Sequence, residues 1–341
     1  MKTAQLKGPD FARLMVVLVA IAGMPAPQRR LSGASPSDTT VLRVWGQGVP
    51  STGGDTFLKV LTRLEASYAE INPSVHFSNE LRGNDSALGG LYVGAADLAF
   101  MTRRPSYIEL DGYQQMIQGQ TPFEIPVMRG GPTAQGSTSP LVLVVNRANP
   151  LDSLTLAELK SIFTASHDTG LPTATLWQDL GVKGLLGSRT IRLYGFDTES
   201  EEAATFSIAA LGSHPQWACN YMAAPDTPNA AGRIVQEIQH DLDGLGLTTL
   251  DAVTSNVKVL EIAASGGTVG PTPAALGSGD YVLGRTVLAL ARKTSDGNAE
   301  PAVRRFLAFL LSTQGQAILR SDGTFVSLDD SATKAAREAL K

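Results

Sequence analysis

Cysteine and histidine are nearly absent from this chain. Cys219 is the only cysteine, and His76, His167, His214 and His240 are the only histidines. One thiol excludes an intrachain disulfide and a thiolate metal cluster. The histidines show neither the HxH nor the HxxxH spacing that would place two imidazoles on one metal ion. An excess of basic charge is missing too: 28 Lys and Arg stand against 32 Asp and Glu, a formal net charge of −4. Nucleic acid is bound mainly through clustered Lys and Arg, so that balance argues against it as a partner. Neither a G-x-S-x-G elbow nor a Walker A loop occurs. Ser331 to Lys334 fits S-x-x-K, but it stands in a polar tail without companion motifs. The expectation from these absences is a protein with no metal, no cofactor and no catalytic residues.

Long hydrophobic runs are scarce as well. The one at the N-terminus, LMVVLVAIAGMPA (14–26), follows Lys2, Lys7 and Arg13 and precedes a Pro- and Ser-rich stretch. It falls short of the roughly 20 apolar residues of a membrane span. The charged, apolar and small-residue layout is that of a secretory signal peptide. Residues 1–26 are therefore expected to be removed on export, with cleavage between Ala22 and Ala26, and 27–40 to form a flexible leader. The expected location is periplasmic or secreted. No cysteine follows the run to carry a lipid.

What is present is alternation. VLRVWG (41–46), VHFSNEL (75–81), DLAFM (97–101), EIPVM (124–128) and LVLVVN (141–146) read as strands. Between them, Phe57, Val60, Leu61, Leu64 and Tyr68 recur at helical spacing, predicting a helix over 54–70. Thr155 with Glu158 three residues on predicts a capping box at the start of a helix over 155–163. TIRLYG (190–195), GLGLTTL (244–250) and VKVLEIA (257–263) read as further strands, with helices near 201–210 and 229–240. YVLGRTVLALARK (281–293) reads as one long strand and 301–319 as one helix. Strands alternating with helices predict an α/β fold with a largely parallel sheet.

Small polar turns follow several of these strands: Gly46 to Gly53, Gly83 to Ser86, Met101 to Arg104, and Asp197 to Ser200. In an open α/β sheet such turns converge on a crevice at the carboxyl ends of the strands, where helix N-termini offer free N–H groups. Ser, Thr, Asp and Asn are equally ordinary helix caps. The reading leaves both open for any single turn.

Four stretches carry a resemblance. LRGNDSALGGLYVGAADLAFMTRRP (81–105) holds a polar turn, a short helix and an A-D-L-A strand; 141–181 holds VVN-x-x-NP, then LT-x-x-x-L-x-x-IF and W-x-D-L-G. GDYVLGRTVLAL (279–290) is similar to a return strand, and FLAFLLSTQGQAILRSDGTFVSL (306–328) to a closing FL-x-F-x-LS-x-x-GQ segment. Together they resemble, in collinear order over 41–328, the periplasmic phosphate-binding proteins of ABC transporters. The resemblance implies a two-lobed, type II-like periplasmic binding protein fold, each lobe a mixed sheet flanked by helices. Two crossover strands would join the lobes near 129–142 and 278–286. Lobe one would be 41–132 plus 281–328, lobe two 140–278, with 329–341 a C-terminal tail.

The same resemblance implies a solute receptor without catalytic activity. It would be a monomer that captures phosphate or another oxyanion, with an inner-membrane ABC permease as partner. Carried over residue by residue, the ligand-binding set is Gly48, Ser51 and Thr52 in the first turn, Ser86 in the second and Arg103 after the third strand. Asp197, Thr198 and Ser200 complete it in lobe two. Arg103 is the cation expected to meet an anion. The lobe-two loop departs from the family's R-x-x-G-S-G-T: Phe196 stands at the arginine position, and Glu201 and Glu202 follow Ser200. Those glutamates either oppose a dianion or face away and complement the helix dipole. Three alternatives follow from the altered loop. One is a polar organic ligand held by Asp85, Asp97 or Asp197. Another is a secreted interaction protein that kept the scaffold and lost high-affinity phosphate binding. The last, a hydrolase built on the cleft hydroxyls, lacks a visible nucleophile and base.

Overall fold

The computed structural model describes residues 39–48, 56–165, 173–212, 215–264 and 266–341. The expected signal peptide and nearly all of the expected leader lie outside them. The first strands are β1 (Thr40–Gly46), β2 (Val75–Leu81), β3 (Leu98–Met101) and β4 (Phe123–Gly130). The middle of the chain contributes β5 (Leu141–Asn146), β6 (Ser153–Thr155), β7 (Arg192–Gly195), β8 (Tyr221–Ala223) and β9 (Gly244–Thr249). It continues with β10 (Val257–Val259), β11 (Glu261–Ala264) and β12 (Gly267–Val269); β13 (Thr286–Ala291) and β14 (Phe325–Val326) close the series.

Two sheets organise the molecule. A six-stranded sheet runs β14-β4-β13-β3-β1-β2 and a five-stranded sheet runs β10-β5-β9-β7-β8, with β12-β11-β6 a small third sheet. Both large sheets are mixed. In the first, β1 lies parallel to β2 and β3, while β13 is antiparallel to β3 and β4. In the second, β5 is antiparallel to β9, which is parallel to β7. This is the two-lobed, mixed-sheet architecture that the resemblance implies, each lobe built on one sheet. The largely parallel sheet expected from strand–helix alternation is not found among the described residues, because β13 and β5 enter antiparallel to their neighbours.

Local sequence explains the elements that carry the site. The helix Thr56–Ile71 buries Phe57, Val60, Leu61, Leu64 and Tyr68 along one face. The Phe57 ring meets Phe100 edge-on at 5.5 Å, which ties that helix to β3. Leu141 to Val145 in β5 are all buried, as a continuous apolar run must be when both sheet faces are covered. Thr155 and Glu158 make the expected capping box.

Elsewhere the structure corrects the sequence reading. The run 281–293 is a strand only over Thr286–Ala291. Before it the chain turns, with Gly284 N–H bonded to the Tyr281 carbonyl, and the buried Tyr281 donates its hydroxyl to the Leu141 carbonyl. The run 301–319 is two helices, Pro301–Leu310 and Thr313–Asp322, because the Ser312 side chain caps the second by accepting from Gly315 N–H. Residues 257–263 divide between two sheets. The helix starting at Glu201 is regular only to Phe206 and widens into a π-helical turn over Ser207–Leu211. The polar tail contains a helix, Asp330–Glu338, which buries Ala336, and Arg337 Nε donates to the Leu311 carbonyl.

Candidate functional site

The turn after β1 is set by a glycine. Gly46 has φ +102°, and a Cβ there would sit 2.1 Å from the Phe100 carbonyl oxygen of β3. That close approach lets the carbonyls of Gly46 and Gly48 both accept from Gly83 N–H, at 3.0 Å each. The turns after β1 and β2 are thereby fastened together. The third turn joins through Asn84, which is buried: its Oδ1 accepts from Thr102 N–H at 2.9 Å and its Nδ2 donates to Thr102 Oγ1 at 3.0 Å. Thr102 Oγ1 in turn donates to Gln47 Oε1 at 3.4 Å.

Arg103 projects from this platform with its side chain 5% exposed. A guanidinium has five N–H donors, and each has an acceptor here. Nη1 donates to Glu109 Oε2 at 2.6 Å and to the Arg104 carbonyl at 3.2 Å. Nη2 donates to Glu109 Oε1 at 2.9 Å and Asp85 Oδ1 at 3.2 Å. Nε donates to Glu201 Oε2 at 3.0 Å. Burial lowers the Arg103 pKa, but hydrogen bonding with Glu109 and the charges of Glu201 and Glu109 outweigh it, so the group is pushed up and remains charged. Glu109 is pushed up by burial and pulled further down by Arg103 and Ser106, ending below the ordinary carboxylate range.

Glu201 comes from the other sheet. Ser200 caps its helix by accepting from Ala203 N–H, and Asp197 Oδ1 accepts from Glu199 N–H, which closes the turn after β7. This geometry sends the Glu201 carboxylate inward. Its Oε1 accepts from Asn84 Nδ2 at 2.6 Å, while Arg103 Nε lies 2.9 Å from Oε1. Burial pushes its pKa up, and the charges of Arg103 and Arg285 with the hydrogen bonds hold it back only in part.

A second arginine completes the arrangement. Arg285, on the segment leading into β13, is 1% exposed. Its Nε donates to the Ser139 carbonyl at 3.3 Å and its Nη1 to Thr205 Oγ1. Nη1 lies 4.0 Å from Glu201 and Nη2 3.9 Å from Glu202, and Nη2 makes no hydrogen bond. Burial pulls its pKa down against the charges of both glutamates.

The residues expected from the sequence are placed unequally. Arg103 is at the centre, with all its donors engaged. Ser200 and Asp197 sit in the adjoining turn but spend their side chains on local backbone. Thr198 is half-buried beside them. Ser86 donates its hydroxyl to the Gly83 carbonyl, and the Gly48 carbonyl is bound to Gly83 N–H. Ser51 and Thr52 lie outside the described residues. Of the alternative acceptors, Asp97 is tied to Arg43 by Nη2–Oδ1 and Nε–Oδ2 contacts of 2.7 and 3.0 Å. Phe196 is 4% exposed in the core of the second sheet, and its carbonyl accepts from Tyr221 Oη at 2.6 Å. Sequence reading passed over Asn84, Glu109 and Arg285. The signal for Arg285 lies in GDYVLGRTVLAL (279–290), the stretch that resembles a return strand, where it follows Tyr281 and Leu283.

Comparison with known proteins agrees with the architecture. Phosphate-binding protein PstS of Pseudomonas aeruginosa is 26% identical over 337 residues, covering 96% of this chain and 98% of its own. Protein SphX of Synechococcus elongatus is 25% identical over 301 residues, covering 86% of this chain and 81% of its own. The crystal structure of an ABC-type phosphate transport receptor from Vibrio cholerae superposes with a TM-score of 0.58 at 19% identity. That match covers 84% of this chain and 100% of the receptor. The PBP superfamily domain matches residues 33–314, most of the chain. On that match, and on two mixed sheets brought together around Arg103, Glu201 and Arg285, the protein belongs to the PBP superfamily and resembles its phosphate-binding-protein-like members.

Proposed function

We propose that the protein is an exported receptor that captures a small oxyanion of the phosphate class between its lobes and delivers it to an inner-membrane ABC permease. It is a binding protein, not an enzyme, in keeping with its family. The observation that carries the ligand class is the meeting of two buried arginines, Arg103 and Arg285, with the Asn84 amide at one place between the sheets. Guanidinium and amide N–H donors converging at one place suit an oxyanion, and the Glu201 carboxylate already occupies part of that donor set. Lobe one is taken as 41–132 plus 281–328 and lobe two as 140–278, so that the segments at 129–142 and 278–286 act as the hinge. Export rests on the N-terminal layout; no described helix is long and apolar enough to cross a membrane.

Calorimetric titration of the purified protein with phosphate and sulfate tests the reading. Saturable binding accompanied by a rise in melting temperature supports it; no heat and no shift with either ion would refute it. One observation favours a second reading, a secreted interaction protein that has lost high-affinity binding. Phe196 is packed into the core at the position of the family's ligand arginine, and every donor of Arg103 is taken. Melting unaffected by any small anion, together with stable capture by the permease, would favour it.

A further inference from the structure

The geometry points to Glu201 as the residue that decides which anions the cleft accepts: its carboxylate is a tethered anion that takes the cleft donors and clasps the lobes together through them. This rests on the receptor reading of the cleft.

The donors in question belong to one lobe and the carboxylate to the other. Asn84 and Arg103 follow β2 and β3 of the six-stranded sheet, and Glu201 follows β7 of the five-stranded sheet. The carboxylate is held from both sides, by Asn84 Nδ2 at 2.6 Å and Arg103 Nε at 2.9 Å, with Arg285 Nη1 4.0 Å away. A side chain that only complemented its helix dipole would be solvated; Glu201 keeps just 22% of its side-chain surface. Its neighbour Glu202 makes the contrast. It is as shielded, at 19%, yet it reaches only to 3.9 Å from Arg285 and contacts neither Asn84 nor Arg103.

Competition is direct. With all five Arg103 donors engaged, a solute oxyanion gains Arg103 Nε and Asn84 Nδ2 only by displacing Glu201. Removing the Glu201 carboxylate (E201A) frees both donors, and neutralising it (E201Q) leaves an amide oxygen that holds them more weakly and no longer repels an anion; Arg285 Nη1 stands 4.0 Å from the same carboxylate. Charge-assisted hydrogen bonds are the strong ones, so the change should be large for an oxyanion and small for a neutral solute.

The test uses inorganic phosphate as probe on the full exported protein and its E201Q, E201A and E202Q variants, by calorimetry and small-angle scattering. E202Q removes the same charge from the same turn without freeing Asn84 or Arg103. Phosphate affinity is expected to rise about 10–100-fold in E201Q and E201A and under about threefold in E202Q. Ligand-free E201A should also show a larger radius of gyration than the native protein. Equal gains in E201Q and E202Q would overturn the proposal, since bulk charge would then explain them. If no form binds phosphate, the receptor reading fails, and scattering still decides the clasp. An expanded E201A upholds it, and an unchanged radius overturns it. E201Q, which keeps the shape of the glutamate, carries the binding comparison should E201A fold poorly.

Discussion

Arg103 and Glu109 meet fork to fork, Nη1 2.6 Å from Oε2 and Nη2 2.9 Å from Oε1. Glu109 has a second task, since its Oε2 accepts from Ser106 N–H and completes a capping box at the start of the helix Tyr107–Met116. R103A therefore strands two carboxylates, Glu109 and Glu201. Breaking a buried pair costs roughly 3–5 kcal/mol; the lower end applies here because these side chains keep 23% and 22% exposure. The urea midpoint of R103A should fall accordingly. A midpoint within error of the native protein would mean that the pairs are open in solution.

Phe196 cannot simply be exchanged for the arginine that the family resemblance places there. Its side chain belongs to the core of the second sheet, so F196R either buries a charge or empties a large aromatic site. Emptying such a site costs roughly 3–5 kcal/mol. Thermal unfolding should show F196R strongly destabilised, and calorimetry should show no gain in phosphate affinity. A stable F196R with tighter phosphate binding would show that the loop can re-form in the family's manner.

Gly46→Ala should be among the most damaging small substitutions. It combines a left-handed φ of +102° with a Cβ 2.1 Å from the Phe100 carbonyl. Separating β1 from β3 would also release the Gly83 N–H bonds that gather the cleft turns. The expected loss is above about 3 kcal/mol, as for strain at a special backbone position combined with a clash. Chemical denaturation of the variant measures it, and a loss under 1 kcal/mol would contradict the tight β1–β3 approach.

Glu65 gives the fold a pH dependence of its own. It is 6% exposed on the helix Thr56–Ile71, and only its Oε2 has a partner, Asn79 Nδ2 at 2.9 Å. Burial pushes its pKa from 4.5 up to about 7 against that hydrogen bond. A folded value above the unfolded one means that the folded state holds the proton longer. The contribution of the protonated form is complete below pH 4.5 and is lost as pH rises to about 7. E65Q should remove this slope and stabilise the protein at pH 8 by roughly 2–3 kcal/mol, following the linkage relation. Melting curves of both proteins between pH 5 and 8 test it; parallel curves would show that Glu65 reaches water.

Export predicts a mature N-terminus near residues 23–32, lacking the apolar run. N-terminal sequencing of periplasmic material reads it directly, and recovery of Met1 on membrane-embedded protein would refute it.

Much of the fold was legible because its strands are short apolar runs with polar turns between them. β5 has the bounds that LVLVVN predicts, and the Thr155 capping box is a purely local signal. The stretch 281–293 misled because an apolar run cannot distinguish a strand from a buried turn; the Tyr281 hydroxyl bond to Leu141 decides it, and that partner is remote in sequence. Arg103 was legible as a cation after a strand. Its saturation was not, and neither was the inward course of Glu201, whose partners Asn84 and Arg103 stand 117 and 98 residues away. Side-chain direction at the first position of a helix is a tertiary property.

The place of β13 in the first sheet bears on the order in which the protein can fold. It is hydrogen-bonded between β3 and β4, strands from the first half of the chain, and is antiparallel to both. Until residues 286–291 have been synthesised, β3 and β4 each lack a neighbour and Phe100 and Ile125 have no completed layer to enter. Sheets whose central strand arrives late gain their stabilising contacts late, because distant segments must be brought together first. A ribosome-bound chain therefore cannot complete the six-stranded sheet until β13 has been made. On the export proposed above, that order of synthesis favours threading the chain through a secretory pore before it folds.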